Sequence, residues 1–365
     1  MISEQEKVLR TFRMRNILLP VIIGFGIAAI FIYRDLMHHG FKHIRLDSNY
    51  LYWFFMALLM ICIRHLAYMY RIWLLSDKKI HFKHSFSTIM LWEFSSCLTP
   101  TVVGGTAVAF FIINREGIKM GRTTAIVLIT AFLDEAFFIL LIPIFILLGI
   151  PNLFIEGSID FSSFSLGFRE VFLIGYIIIF ILTFLMFYGV FINPHAVKWL
   201  FLKIANLPFF KRWKEKAETT GNDIITASKE FKHKSLGFWI KSFLSTSLSW
   251  SARYLTVNFL ILMFVTSNDQ FLIFVRQMLM WVILLVSPTP GASGIAEYGF
   301  TVFLGEFLPD GISSSLAFLW RLISYYPYIL AGMFVLPVWL RRTSKNKSTA
   351  IERQKLPENS SSEHS

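Results

Sequence analysis

Nine ionisable side chains fall within long apolar stretches of this sequence: Arg64, His65, Glu93, Asp134, Glu135, Arg253, Arg276, Glu297 and Arg321. An ionised group at the centre of a bilayer costs about 3 kcal/mol on insertion scales. Such residues therefore face the interior of a bundle, pair with one another, or mark the path of a substrate. Arginines in this setting can hold a phosphate, and carboxylates can pair with the arginines or exchange protons. A purely structural role is the competing reading, for instance Arg321 paired with Asp134 or Glu135. Arg71 and Arg276 lie nearer the ends of their stretches and could extend to the interface by snorkelling. Glu297 could be a capping residue three positions after Gly294. His65, alone on its stretch, reads first as a hydrogen-bonded core histidine.

Two backbone breaks accompany these charges. "SPTPGASGIAE" (287–297) and "CLTPTVVGGTA" (97–107) interrupt apolar sequence with proline and glycine. Irregular backbone at membrane depth is tolerated only where protein buries it or where it lines an aqueous cavity. Pro288 and Pro290 remove two N–H donors, and Gly291 and Gly294 permit a tight reversal. A helix starting near Ser293 or Gly294 would aim free N–H groups at the protein centre, where they suit a phosphate or carboxylate. The first break repeats the recipe with Pro100, Gly104, Gly105 and a candidate N-cap at Thr106.

The elements that must position these residues are membrane helices. Of the 365 residues, 55% are hydrophobic and 16% charged, with mean hydropathy +0.59, against about 25% charged in soluble domains. Six stretches read as ordinary spans, at 17–33, 50–75, 122–149, 169–192, 238–265 and 313–340. The first follows a basic run like a signal peptide but lacks a small-residue cleavage site, so it reads as an uncleaved span. The broken stretches, 87–114 and 271–305, are either further spans or re-entrant hairpins.

Loop charge decides between those two. If both are hairpins and the N-terminus is cytoplasmic, the inner loops gather Lys7 to Arg15, Lys78 to Lys83, Arg115 to Arg122, the basic connector 193–237 and the tail from Arg341. Only Arg34, Lys42 and Arg45 then remain in outer loops, whereas full spans nearly abolish the bias. The positive-inside rule favours hairpins. The expected fold is thus an all-α polytopic protein with six transmembrane helices and two broken hairpins. A first repeat (17–149) precedes an outer loop (150–168) and a second repeat (169–340) of opposite orientation. Residues 1–16 and a disordered tail, 341–365, are expected to be cytoplasmic. Such inverted-topology repeats are the plan of secondary transporters. Identity between the halves is weak, so the symmetry rests on topology.

Other function classes find no support. A net charge of +12 fits inner loops and anionic headgroups, with no call for nucleic acid. The connector 193–237 reads as an amphipathic stretch and a surface helix on anionic lipid. Cys62 and Cys97 form neither a disulfide framework nor a metal spacing. Phosphate-binding loops are absent, and Ser95 and Ser96 have no histidine nearby in sequence. No enzyme activity, cofactor or metal is expected.

"TPTVVGGTAVAFFIINREGI" (99–118), "SPTPGASGIAE" and "LWRLISYYPYILAG" (319–332) together resemble signature blocks of the lysylphosphatidylglycerol synthase transmembrane-region family. That family is the flippase-like membrane portion of synthases that aminoacylate phosphatidylglycerol. The resemblance covers about 15–340. Thr106-Ala107 departs from the polar residue and proline that follow the glycine pair in many relatives. The aminoacyl-transferase domain is not expected here, so the resemblance implies lipid translocation or binding without lysyl transfer.

The leading expectation is a flippase-like protein of the cell (inner) membrane, acting on a phospholipid or polyprenyl-phosphate-type lipid. Arg64, Arg253, Arg321, Thr106, Ser293 and Gly294 would hold the headgroup, and Glu93, Asp134, Glu135 and Glu297 would pair with arginines or exchange protons. A small-solute or ion transporter fits the same plan. So does a lipid-presenting partner of a separately encoded synthase or glycosyltransferase. Single cysteines at Lys119 and Asn268 are expected to label from opposite sides of the membrane, with Lys119 inside. Labelling of Lys119 from outside overturns the hairpin arrangement.

Overall fold

The computed structural model describes residues 48–99, 101–155, 157–160, 165–206, 214–266, 269–284 and 292–355, with Gly26, Ile30 and Tyr33. The rest of the expected first span, Pro100, Glu156, Pro288, Pro290 and Gly291, and the tail beyond 355 lie outside the described residues.

The described residues are helical almost throughout. Helices α1 (Tyr50–Leu75), α2 (Phe82–Leu98), α3 (Thr101–Arg115) and α4 (Met120–Leu147) form the first half. A short antiparallel ribbon, β1 (Ser158–Asp160) with β2 (Ser165–Gly167), leads into α5 (Phe168–Phe187), which runs on through a π turn at Tyr188–Ile192. The connector folds as α6 (Pro194–Ala205) and α7 (Lys214–Lys232). Helices α8 (Leu236–Leu262), α9 (Gln270–Leu284), α10 (Ile295–Leu304), α11 (Ser313–Ser324) and α12 (Tyr326–Lys355) complete the chain.

Among the described residues, four stretches are long and apolar enough to cross a membrane: Tyr50–Leu75, Met120–Leu147, Phe168–Ile192 and Ser313–Ser344. On α5 the side chains of Ile177, Phe180, Ile181 and Phe184 all lie more than half exposed, as a lipid-facing helix requires. Helix α8 has 27 residues, about 40 Å at 1.5 Å per residue, but it is more polar. Its buried Ser242, Ser245, Thr246 and Ser249 form one stripe at helical spacing. The stripe packs on α1, where Ser245 Oγ donates to the Ala67 carbonyl (2.6 Å) and Ser249 Oγ to that of Arg64 (3.1 Å). Small hydroxylated residues let two backbones approach while satisfying their own polar atoms.

Three expectations need correction or refinement. The expected span 313–340 lies within the apolar stretch Ser313–Ser344, but its helix is kinked at Tyr325 (φ −119°, ψ −55°). Pro327 cannot donate a helical hydrogen bond, so α12 restarts with it in the first turn. Residues 341–355 are helical where a disordered tail is expected. Arg115 anchors that extension through Thr343 (3.2 Å) and Ser344 (2.7 Å), and Arg342 bonds Glu116. Burial pushes the Glu116 carboxyl above its ordinary range, while Arg342 and the Trp339 indole pull it back. The third correction concerns Gly104, Gly105 and Thr106, which are all helical, inside α3 rather than at a break or an N-cap. Gly105 is needed for close approach: a Cβ there would lie 2.1 Å from Ser96 Oγ on α2.

Helices α2 and α3 pack together, as do α9 and α10. Asp77, just after α1, binds Arg122 at the start of α4 and also Lys234 (2.6 Å). The α2–α3 pair therefore begins and ends at one end of the bundle. Arg276, in the second turn of α9, donates to the Asn152 carbonyl beyond α4 (2.6 Å) and pairs with Glu306 after α10 (2.8 Å). The α9–α10 pair thus begins and ends at the opposite end of α4. Arg276 is only 2% exposed, so it locks three segments together and does not snorkel.

The connector is tied to the first of these ends. Helix α7 buries Ile224, Ala227 and Phe231, and Arg122 pairs with its Glu230. A Cβ at Gly121 of α4 would meet the Asp223 backbone carbon at 2.5 Å. Gly121→Ala is expected to lever α7 off α4 and cost about 1–3 kcal/mol, as overpacking does. Thermal unfolding in detergent, with protease sensitivity of 207–233, measures it. Gly237→Ala, which meets only Ser235 Oγ at 3.9 Å, is the neutral control.

Candidate functional site

Between the two helical pairs lies a cavity of about 250 Å³. Helices α1, α2, α3, α4, α8, α9, α10 and α11 all contribute to its wall. Four arginines line it (Arg64, Arg71, Arg253, Arg321), with Glu93, Asp134 and Glu135 as carboxylates and Trp92, Trp250, Trp281 and Trp320 as aromatic walls. Thr106 lines it as well. Small-molecule sites span about 300–1,000 Å³, so this cavity lies just below the lower end of that range.

Helical spacing sets the polar face of α1. Arg64, Tyr68 and Arg71 stand at i, i+4 and i+7 and so point the same way. Arg64 donates to Glu93 Oε2 (2.7 Å) and to the Tyr328 hydroxyl (2.8 Å). Two turns on, Arg71 holds Asp134 with two bonds (2.5 and 3.1 Å) and Thr246 with a third (2.9 Å). The Trp250 indole also donates to Asp134, at 2.9 Å. Arg71 is 4% exposed, so the snorkelling expected of it gives way to a buried, bidentate ion pair.

Arg321 pairs with Glu297 (2.9 Å), not with Asp134 or Glu135 as the sequence suggested. It also reaches Ser293 Oγ (3.3 Å) and lies 3.9 Å from the centre of the Tyr325 ring. Glu297 has a second duty, accepting from the Gly294 N–H at 2.6 Å. The expected cap is therefore real, and Gly294 takes the φ of +86° that glycine tolerates. The start of α10 is consequently filled by its own carboxylate. Ala292 and Ala296 face the cavity there, while Ser293 and Gly294 sit behind Arg321.

His65 is 8% exposed, and neither ring nitrogen is hydrogen-bonded among the described residues. It packs edge-on against Phe86 at 5.0 Å. It is a core histidine held by packing, without the hydrogen bond expected of it.

Arg253 stands apart. Among the described residues it makes no hydrogen bond or ion pair, and its guanidinium lies over the rings of Trp281 (4.4 Å) and Trp250 (5.1 Å). Aromatic faces hold a cation in place without neutralising it. Glu135 likewise has no hydrogen bond or ion pair among the described residues, and its Oε2 is buried and unpartnered. The buried Thr130 and Tyr254 hydroxyls of the wall are also unpartnered. Sequence reasoning placed Arg71 at the interface instead of the cavity, and missed the serine stripe of α8. The signal for the stripe was its small-residue spacing.

The sequence matches the family described as "Lysylphosphatidylglycerol synthase TM region" over residues 21–332. A "UPF0104 membrane protein" of Archaeoglobus fulgidus, of the same family, is 26% identical over 262 residues, which is 70% of this chain and 75% of that protein. No solved structure matches it.

The pairs differ sharply from the lone arginine in what their removal should do. Asp134→Asn is expected to destabilise the protein by about 3–5 kcal/mol, because Arg71 is left buried without its counter-charge. Arg253→Gln, which strands no partner, is expected to stay within about 1 kcal/mol. Thermal unfolding of both variants in the same detergent compares them.

Proposed function

Because this chain belongs to the lysylphosphatidylglycerol synthase transmembrane-region family, we propose that it binds and translocates a lipid whose headgroup carries an anionic phosphate. It does so as a carrier, without covalent chemistry. The observation that carries this reading is Arg253, an arginine open to a central cavity, held between two tryptophans and ion-paired with no carboxylate among the described residues. A phosphate entering the cavity meets one uncommitted cation there, while Arg64, Arg71 and Arg321 are already neutralised. Tryptophan walls around a charged floor suit an amphiphile better than a free ion.

The two helical pairs support a rocking mechanism. They enter from opposite ends of α4, as Asp77–Arg122 and Arg276–Glu306 require. In this reading they are re-entrant hairpins of an inverted-topology repeat, with α1–α4 answered by α8–α12 and both termini cytoplasmic. The cavity lies where the hairpins meet, the usual place for a transporter's site.

Reconstitution in liposomes with fluorescent lipids tests the proposal. The wild type is expected to accelerate exchange of phosphatidylglycerol or a short polyprenyl phosphate between leaflets, and Arg253→Gln to slow it at least tenfold (on the order of 1.4 kcal/mol in binding). Absence of exchange for every lipid class, or an unchanged rate in Arg253→Gln, overturns it.

A further inference from the structure

Four arginines and four carboxylates surround the cavity, counting Glu297 behind Arg321, yet only three ion pairs form among them. The residue left on each side, Arg253 and Glu135, does not pair with the other. This leaves one cation and one carboxyl, both facing the same space. Resting on the headgroup reading above, we propose that Glu135 is the proton site of the cavity, and that a phosphate docking on Arg253 is taken up together with one proton on Glu135.

The surroundings of Glu135 support this assignment. On its own helix the neighbour is Asp134, committed to Arg71 and the Trp250 indole. From α1 come Tyr68 and Arg71, and the Arg71 guanidinium lies 4.7 Å from the Tyr68 ring centre while bonded to Asp134 and Thr246. From α8 come Arg253, stacked on tryptophan, and Tyr254, 3% exposed with its hydroxyl unpartnered. Tyr176 of α5 is occupied with the Ile139 carbonyl at 3.1 Å. No described cation is therefore bonded to Glu135. A carboxyl buried without one is neutral most cheaply by holding a proton.

Charge then links the two sites. Arg253 and Glu135 line the same cavity without bonding to each other. A phosphate docked on Arg253 adds negative charge to that low-dielectric space and so disfavours an ionised Glu135. Protonation of Glu135 removes the repulsion. By reciprocity, protonating Glu135 first removes a competing negative charge and strengthens phosphate binding. Thr130 and Tyr254, with unpartnered hydroxyls, supply polar contacts on the same wall.

The test is calorimetric binding of dihexanoyl phosphatidylglycerol and of a short-chain prenyl phosphate to the purified full-length protein. Running it in buffers of different ionisation enthalpy counts protons taken up per ligand. The expected result for the wild type is uptake of about one proton on the alkaline side, with affinity falling about tenfold per pH unit there. Glu135→Gln is expected to bind with no uptake and with pH-independent affinity, tighter than the wild type at high pH. Binding by the wild type without proton uptake, or with uptake unchanged in Glu135→Gln, overturns the proton site and leaves headgroup binding standing. Sodium dependence in place of uptake does the same. Failure of the wild type to bind either ligand at any pH overturns the headgroup reading and this inference with it. The wild-type proton count decides by itself should the variant not fold.

Discussion

Everything inside this protein follows from the absence of water to satisfy a polar group. Most of the buried charges find a partner on another helix, and that requirement fixes how those helices are rotated. Arg64 draws α2 onto α1 through Glu93, Arg71 draws α4 through Asp134, and Arg321 draws α10 onto α11 through Glu297. Such pairs gain little net stability, since desolvation offsets most of the attraction, but breaking one strands a charge at a cost of about 3–5 kcal/mol. Their effect is on placement. A helix rotated by one residue would leave two ions unpaired, so the arrangement with every pair formed is strongly selected over its neighbours.

The same constraint holds the two ends. Asp77, Arg122, Glu230 and Lys234 knit the connector to the bundle at one end. Arg276 gathers Asn152, Phe303 and Glu306 at the other. Between them the serine stripe of α8 lets α1 come close, so the centre is held by short polar contacts as well as by apolar packing. A cavity survives there because its wall is rigid where pairs form and uncommitted only at Arg253 and Glu135.

Much of this was legible in the sequence, and the rest was hidden for identifiable reasons. Helix positions follow from apolar length, so α1, α4 and α5 lie close to where the sequence puts them. The cavity's charges were legible too, because an ionisable residue in an apolar run has few other uses. Partner identity was not. Whether Arg321 meets Asp134 or Glu297 depends on how helices turn about their axes, which one sequence does not encode locally. Glycines misled in a related way. "VGGT" reads as a break, but Gly104 and Gly105 lie in a helix, and Gly105 makes room for Ser96. A missing side chain serves close packing as readily as it serves a turn, and only the neighbour decides which. Pro327 was in plain view, and its break was overlooked because the apolar run continues across it.

The start of α10 shows how one contact relocates a site. A helix N-terminus aimed into a protein is a natural anion holder, and "SPTPGASGIAE" invites that reading. Here Glu297 reaches back to the Gly294 N–H and takes the position itself, while Arg321 holds its other oxygen. An incoming phosphate would have to displace a carboxylate that is doubly bound. The energetically open position lies across the cavity at Arg253, where no anion must first be removed. The start of α10 therefore serves the cavity indirectly. It carries the carboxylate that neutralises Arg321, and so leaves Arg253 as the cation facing the cavity without a counter-ion among the described residues.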